Sequence, residues 1–149
     1  MRGYIAALVA APLAVLVAVT VTGCVAPPPP FDGERHARDE LPSAVADVIE
    51  DADLSTSRYQ GEAAGRSLYL VRGTGSYQIC LAFSDGSAEG VGASCSGGDW
   101  LRVTLDDGAA FEVRLTGFPE TPRPGEHDIS RWLRQVDARP EPGDGENDS

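Results

Sequence analysis

The side chains able to do chemistry in this chain are few and widely spaced. There are three cysteines (Cys24, Cys80 and Cys95) and two histidines (His36 and His127). Carboxylates cluster at Glu50/Asp51/Asp53, at Asp106/Asp107 and at Asp144/Glu146/Asp148. A serine or cysteine nucleophile needs a base held rigidly beside it. His36 falls in a charged, spacer-like stretch and His127 in a Pro-rich loop, so Ser94, Ser96 and Ser130 have no partner in the pattern. Zinc requires several Cys/His ligands at paired spacing, and calcium requires alternating oxygen ligands with a central Gly and a closing Glu; neither arrangement is present. Two carboxylates suit a glycosidase, but their separation in space is not written in sequence. Ser96-Gly97-Gly98 precedes a strand pattern rather than a helix, and so lacks a phosphate loop's dipole. No catalytic residue, metal ligand or cofactor is assigned, and the expectation is a protein that is not an enzyme.

The cysteines point elsewhere. Arg2 opens the chain, residues 4–21 are almost wholly apolar, and Val21-Thr22-Gly23 leads directly into Cys24. At about 1.5 Å per residue such a run just spans ~30 Å of hydrocarbon, so a membrane helix competes with a signal peptide. The N-terminal position, the small residues Thr22-Gly23 and the immediate Cys favour the signal. Val21-Thr22-Gly23-Cys24 resembles the lipobox of bacterial prolipoproteins. The resemblance implies that Gly23–Cys24 is the cleaved bond and that the Cys24 sulfur carries a diacylglycerol. The chain's partner is then the membrane, and its place is the outer face of the cell membrane. Two acyl chains hold stably, at ~0.8 kcal/mol per buried CH₂, where one is marginal. An odd cysteine in an exported chain needs its own explanation; lipid on Cys24 leaves Cys80 and Cys95 as an even pair.

All twelve basic residues are arginines, and the formal net charge is −11. Such acidity argues against nucleic acid and against docking on anionic lipids, both of which need a basic surface.

The remaining sequence divides into a spacer at 24–40, a small domain at 41–136 and an acidic Pro/Gly-rich tail at 137–149 that reads as disordered. Pro27 to Pro30 favour polyproline II, and residues 31–40, charged and poor in apolar side chains, predict little order. Leu41, Val45, Val48 and Ile49 recur at i, i+4, i+7 and i+8, which predicts a helix over 41–52. Alternating or apolar runs at 57–62, 67–72, 77–83, 89–95, 100–105 and 110–115, separated by Gly-containing turns, predict six strands. Their inward faces are Leu68/Leu70, Ile79/Leu81/Phe83, Leu101/Val103/Leu105 and Phe111/Val113/Leu115. Residues 116–127 form a Pro-rich loop. Asp128 as N-cap, with Ile129, Trp132, Leu133 and Val136 at helical spacing, predicts a short helix over 128–136. The expected fold class is α+β: a small antiparallel meander of about six strands, open or curled toward a barrel, with an N-terminal and a short C-terminal helix.

A turn centred between Ser87 and Ala88 sets residue 80 opposite residue 95. Outside the cytoplasm that pair oxidises to an intra-hairpin disulfide. In this register Cys80, Ala82, Val91, Ala93 and Cys95 share the face opposite Ile79, Leu81 and Phe83. Either those small residues seat a helix, or a bulge shifts the register.

Beyond the lipobox, Tyr69-Leu70-Val71, Ile79-Cys80-Leu81 and Ala93-Ser94-Cys95 resemble small exported lipoproteins of G+C-rich Gram-positive bacteria that have no assigned activity. That resemblance implies no site. The function expected is a lipid-anchored binding or interaction module at the cell envelope, with an envelope protein or a small ligand as partner. Tyr77, Trp100 and Trp132 are its candidate contact residues, beside Tyr59 and Tyr69. The alternatives are a structural or accessory envelope protein and, least favoured, a carboxylate-based hydrolase. A concave cluster of the aromatics points to a ligand, a flat exposed patch to a protein partner, and dispersal to a structural role.

Overall fold

A computed structural model describes residues 30–138. The apolar run 4–21, Val21-Thr22-Gly23-Cys24, most of the Pro run and the tail 139–149 lie outside the described residues. Eight strands carry the fold: β1 (Ala52–Ala63), β2 (Arg66–Gly73), β3 (Ile79–Ser84), β4 (Val91–Ser96), β5 (Trp100–Thr104), β6 (Ala110–Arg114), β7 (His127–Asp128) and β8 (Leu133–Val136). They form two antiparallel four-stranded sheets, ordered β1-β2-β3-β4 and β5-β6-β8-β7. The molecule is mostly β, and the expected α+β meander with two flanking helices is corrected to a two-sheet sandwich.

The meander breaks at the Gly97-Gly98-Asp99 turn, where β4 and β5 follow one another without pairing. The strand patterns account for the break. The second sheet alternates apolar residues with Arg102, Glu112 and Arg114, so it has one apolar face to bury. Folding it back over the first sheet brings Leu68, Leu70, Ile79 and Leu81 against Leu101, Val103, Phe111, Val113 and Leu133 in one core. These are the predicted inward faces, with Leu133 added and Phe83, Leu105 and Leu115 packed at the margin.

The first sheet is apolar on its other face as well. Tyr69, Val71, Cys80 and Ala82 form a second cluster with Val45 and Ile49, with Leu41, Val91, Ala93 and Cys95 around it. The register of β3 on β4 runs without a shift and sets Cys80 opposite Cys95; the two are joined as a disulfide, their Cα atoms 4.0 Å apart. The small residues therefore seat a helical segment, and no bulge intervenes.

That segment is far shorter than predicted. Only α1 (Ser43–Ala46) is helical. Val45 and Ile49 dock while Val48 stays exposed. The main chain at Asp51 accepts a hydrogen bond from Thr74, and Ala52 already pairs with Gly73. A short run containing three β-branched residues has little intrinsic helicity to set against a strand partner. The predicted C-terminal helix is likewise a hairpin. Leu133–Val136 pairs with β6 through Val113↔Leu133 and Ala110↔Val136, and Ile129 and Ser130 both donate to the Leu133 carbonyl. β6 offers an open ladder to the chain that follows, and pairing with it outweighs the helical spacing of Ile129, Trp132, Leu133 and Val136.

Residues 31–40 are held against β1. Asp39 is 4% exposed; its carboxylate accepts from the Tyr59 and His36 amides, both at 2.8 Å. Arg58 donates to the carbonyls of Phe31 and Gly33, Arg35 to Ser57 Oγ, and Ser57 Oγ to the Asp39 carbonyl. This strap covers part of the outer edge of β1, which otherwise offers unpaired main-chain groups. A 3-10 turn at Ala37–Asp39 lies within it.

Candidate functional site

The three aromatics singled out from the sequence lie apart. Tyr77, 38% exposed, lines a pocket of about 330 Å³ with Phe31, Arg72, Gly73, Gln78 and Leu115. Arg72 stacks on the Phe31 ring at 5.3 Å. Trp100, 49% exposed, stands on the outer face of the second sheet, across from Arg114. Trp132 is half-buried against the sandwich core, and its indole N–H is buried without a hydrogen-bond partner. No shared concave cluster or flat patch unites them. Tyr59 and Tyr69 meet edge-to-face at 5.5 Å beside the α1 cluster. His36 caps the 3-10 turn and His127 sits exposed on β7. Among the described residues, no group of three or more His, Cys, Asp or Glu side chains could hold a metal ion, and no helix is long and apolar enough to cross a membrane.

The outer face of the second sheet carries a charge network closed on itself. The Arg134 side chain, 3% exposed, pairs with Asp128 at 2.6 Å, Glu126 at 3.6 Å and Glu120 at 3.7 Å. It also donates to the Glu120 carbonyl at 2.7 Å. Arg114 pairs with Glu112 at 2.6 Å and Glu120 at 3.3 Å. Both guanidinium groups stack on Phe118, at 4.3 Å for Arg134 and 5.1 Å for Arg114. Burial pushes the Glu112 carboxyl up, but hydrogen bonds from Trp100 and Arg114 and the charges of Arg114 and Arg102 outweigh it and hold the group below its usual range. The remaining cavity there is about 90 Å³. With Arg114 and Arg134 matched by carboxylates, this face pins residues 115–128 onto the sheet and leaves little room for a ligand.

The seam between β4 and β5 is different. A groove of about 350 Å³ opens there, lined among others by Phe83, Val91, Ala93, Val103 and Leu105, with Glu89 and Asp106 at its mouth. Each of the two strands has only one neighbour in its sheet. In antiparallel ladders, hydrogen-bonded pairs alternate with closer, non-bonded pairs. Asp85 donates to the Gly90 carbonyl, and the 4.0 Å Cα separation of Cys80 and Cys95 is that of a non-bonded pair. The amides and carbonyls of Val91, Ala93 and Cys95 therefore point away from β3 into the seam. On the facing strand, Leu105 donates to Ala109 and Leu115 to Asp99, so Trp100, Arg102 and Thr104 turn their main chains outward. Gly92 lets Phe83 lie flat on β4: a Cβ there would sit 2.5 Å from the ring.

Sequence reasoning placed these strands but not the seam, because an unbroken meander would have paired β4 with β5. One signal was available. Val91–Ser96 carries no charge, no proline and only small side chains besides Val91, which is a poor composition for an exposed strand.

No family model, no curated protein and no solved structure matches this chain.

Proposed function

We propose that this chain is a lipid-anchored, extracytoplasmic interaction module. It is tethered through Cys24 and displays a disulfide-stapled β-sandwich that binds a protein partner at the cell envelope. The observation that carries the binding role is the seam. Two neighbouring strands turn main-chain groups outward over an apolar floor, and among the described residues only the Trp100 carbonyl of these is taken, by the Ser96 hydroxyl. Part of the other edge of the first sheet is strapped, and the outer face of the second is locked by ion pairs. The anchoring rests on Val21-Thr22-Gly23-Cys24. Pairing of Cys80 with Cys95 supports it, since Cys24 is then the odd cysteine left for modification. The dispersal of Tyr77, Trp100 and Trp132 takes weight from an aromatic ligand pocket and by itself favours the structural alternative; the binding role rests on the seam instead.

Two measurements test this reading. Cys24→Ala shifts the protein out of the lipid-labelled membrane fraction into uncleaved precursor or medium; a variant still lipid-labelled in the membrane removes the anchor. In-cell crosslinking of the wild-type chain, followed by detergent extraction and mass spectrometry, yields a defined envelope partner. A chain that crosslinks to nothing removes the module and leaves a structural role.

A further inference from the structure

We propose that an extended, basic segment of a partner protein adds to β4 as an extra strand, its main chain pairing with Val91, Ala93 and Cys95. This rests on the reading of the chain as an interaction module and names what that module recognises. In β-strand addition the main chain supplies affinity and alternate side chains supply selection. Here one side of an added strand faces the floor formed by Phe83, Val103 and Leu105, which suits apolar residues. The other side faces outward.

Charge selects among the possible occupants. Within the groove lining, Arg66 is matched by Asp107 at 2.6 Å. Glu89 and Asp106, at the mouth, have no ion-pair partner among the described residues. A second copy would bring the same carboxylates, on a chain of formal charge −11, against this mouth. The acidic residues of 139–149 would meet the same repulsion. Lysine or arginine alternating with apolar residues answers both the floor and the rim.

β4 also lacks the devices that protect exposed edges. It has no charged side chain, no proline and no register shift against β3. The β1 edge, by contrast, has its Tyr59 amide capped by Asp39.

The test titrates the full chain in detergent with a fluorescent peptide that alternates valine and lysine, beside its valine–glutamate counterpart. The lysine peptide binds saturably and the glutamate peptide at least about tenfold more weakly, a gap of about 1.4 kcal/mol. Ala93→Pro removes an amide that faces the seam and takes no part in the β3 ladder, so it weakens lysine-peptide binding about tenfold or more while the disulfide and near-UV spectrum persist. Should Ala93→Pro fail to fold, the surface pair Glu89→Arg with Asp106→Arg decides instead, by turning the preference toward the glutamate peptide.

Absence of saturable binding by the wild-type chain overturns the proposal, as does binding that neither variant alters. A concentration-dependent dimer that Ala93→Pro dissolves also overturns it, in favour of self-pairing. In cells, a crosslinked partner retained by folded Ala93→Pro overturns strand addition but leaves the interaction module standing.

Discussion

Asp39→Ala tests whether the strap over β1 is built as the geometry indicates. Residues 31–40 look like a solvated spacer in sequence, and an alanine there would then change stability by less than about 0.5 kcal/mol. In the structure the Asp39 carboxylate is the acceptor for two main-chain donors, the amides of Tyr59 and His36, each at 2.8 Å. Removing the acceptor of a buried donor costs about 1–3 kcal/mol. His36 is exposed and water replaces much of what it loses, whereas the Tyr59 amide lies under the strap, so the expected loss is about 2 kcal/mol. For a domain near this size that lowers Tm by about 10 °C. Urea unfolding at neutral pH reads the loss, and hydrogen exchange at the Tyr59 amide accelerates with it. Acid adds a second reading. Burial pushes the Asp39 carboxyl up, yet the hydrogen bonds from His36 and Tyr59, with the charges of Arg58 and His36, outweigh it and hold the group below its ordinary value. A group depressed on folding contributes stability that is fully present above its unfolded pKa, near 3.9, and that is lost as pH falls through the folded value. The gap between wild type and Asp39→Ala is therefore constant from neutral pH down to about 5 and narrows below 4. A variant as stable as wild type refutes the strap; a gap that persists undiminished at the acid end refutes the role of the ionised carboxylate.

Two further variants probe the staple and the charge network. Replacing Cys80 and Cys95 together by alanine opens a loop of sequence separation 15, and urea unfolding then shows a loss of about 3 kcal/mol on the chain-entropy model; thiol counting on exported wild-type protein finds neither cysteine free. Arg134→Met strands Asp128 and Glu126, while Glu120 keeps Arg114 as its partner. Breaking a buried pair costs about 3–5 kcal/mol, but Asp128 is nearly half exposed and water compensates it, so about 2 kcal/mol is expected in urea unfolding, with faster proteolysis within 115–128.

What could be read from the sequence was whatever is fixed by side chains close along the chain. Asp-Gly turns and alternation located β2 through β6 to within a residue or two, and the turn at Ser87-Ala88 set Cys80 opposite Cys95. The inward residues from Leu68 to Val113 followed from the same period of two. The failures share a cause. At 41–49 and 129–136 the apolar residues satisfy a helical period, yet Ala52 was claimed by Gly73 and Leu133 by Val113, and a ladder partner far along the chain is invisible to a local pattern. Asp39 hid for the same reason, since the amide it caps belongs to Tyr59, twenty residues on. The seam required knowing that β4 and β5 do not pair, which depends on how the two apolar faces of the first sheet are covered. Arg134 gave no signal because an arginine three residues after Arg131, in a stretch of helical spacing, reads as surface.

The position of the seam gives the proposed anchoring a geometric consequence. The chain enters the sandwich at Phe31, beside Arg72, Tyr77 and Leu115. That end holds the 74–78 and 97–99 turns. The seam opens at Glu89, Gly90, Leu105 and Asp106, by the turns at the other end, and β4 spans the difference at ~3.3 Å per residue, about 20 Å in all. In a chain held through Cys24 the acidic mouth lies at the end of the sandwich far from the attachment, the end more open to whatever stands farther out in the envelope. A photoreactive phenylalanine at position 106 therefore captures the partner, and the same group at position 76, at the entry end, does not. Capture at 76 with none at 106 would place the contact beside the membrane, at the Tyr77 pocket, and would refute the outward seam.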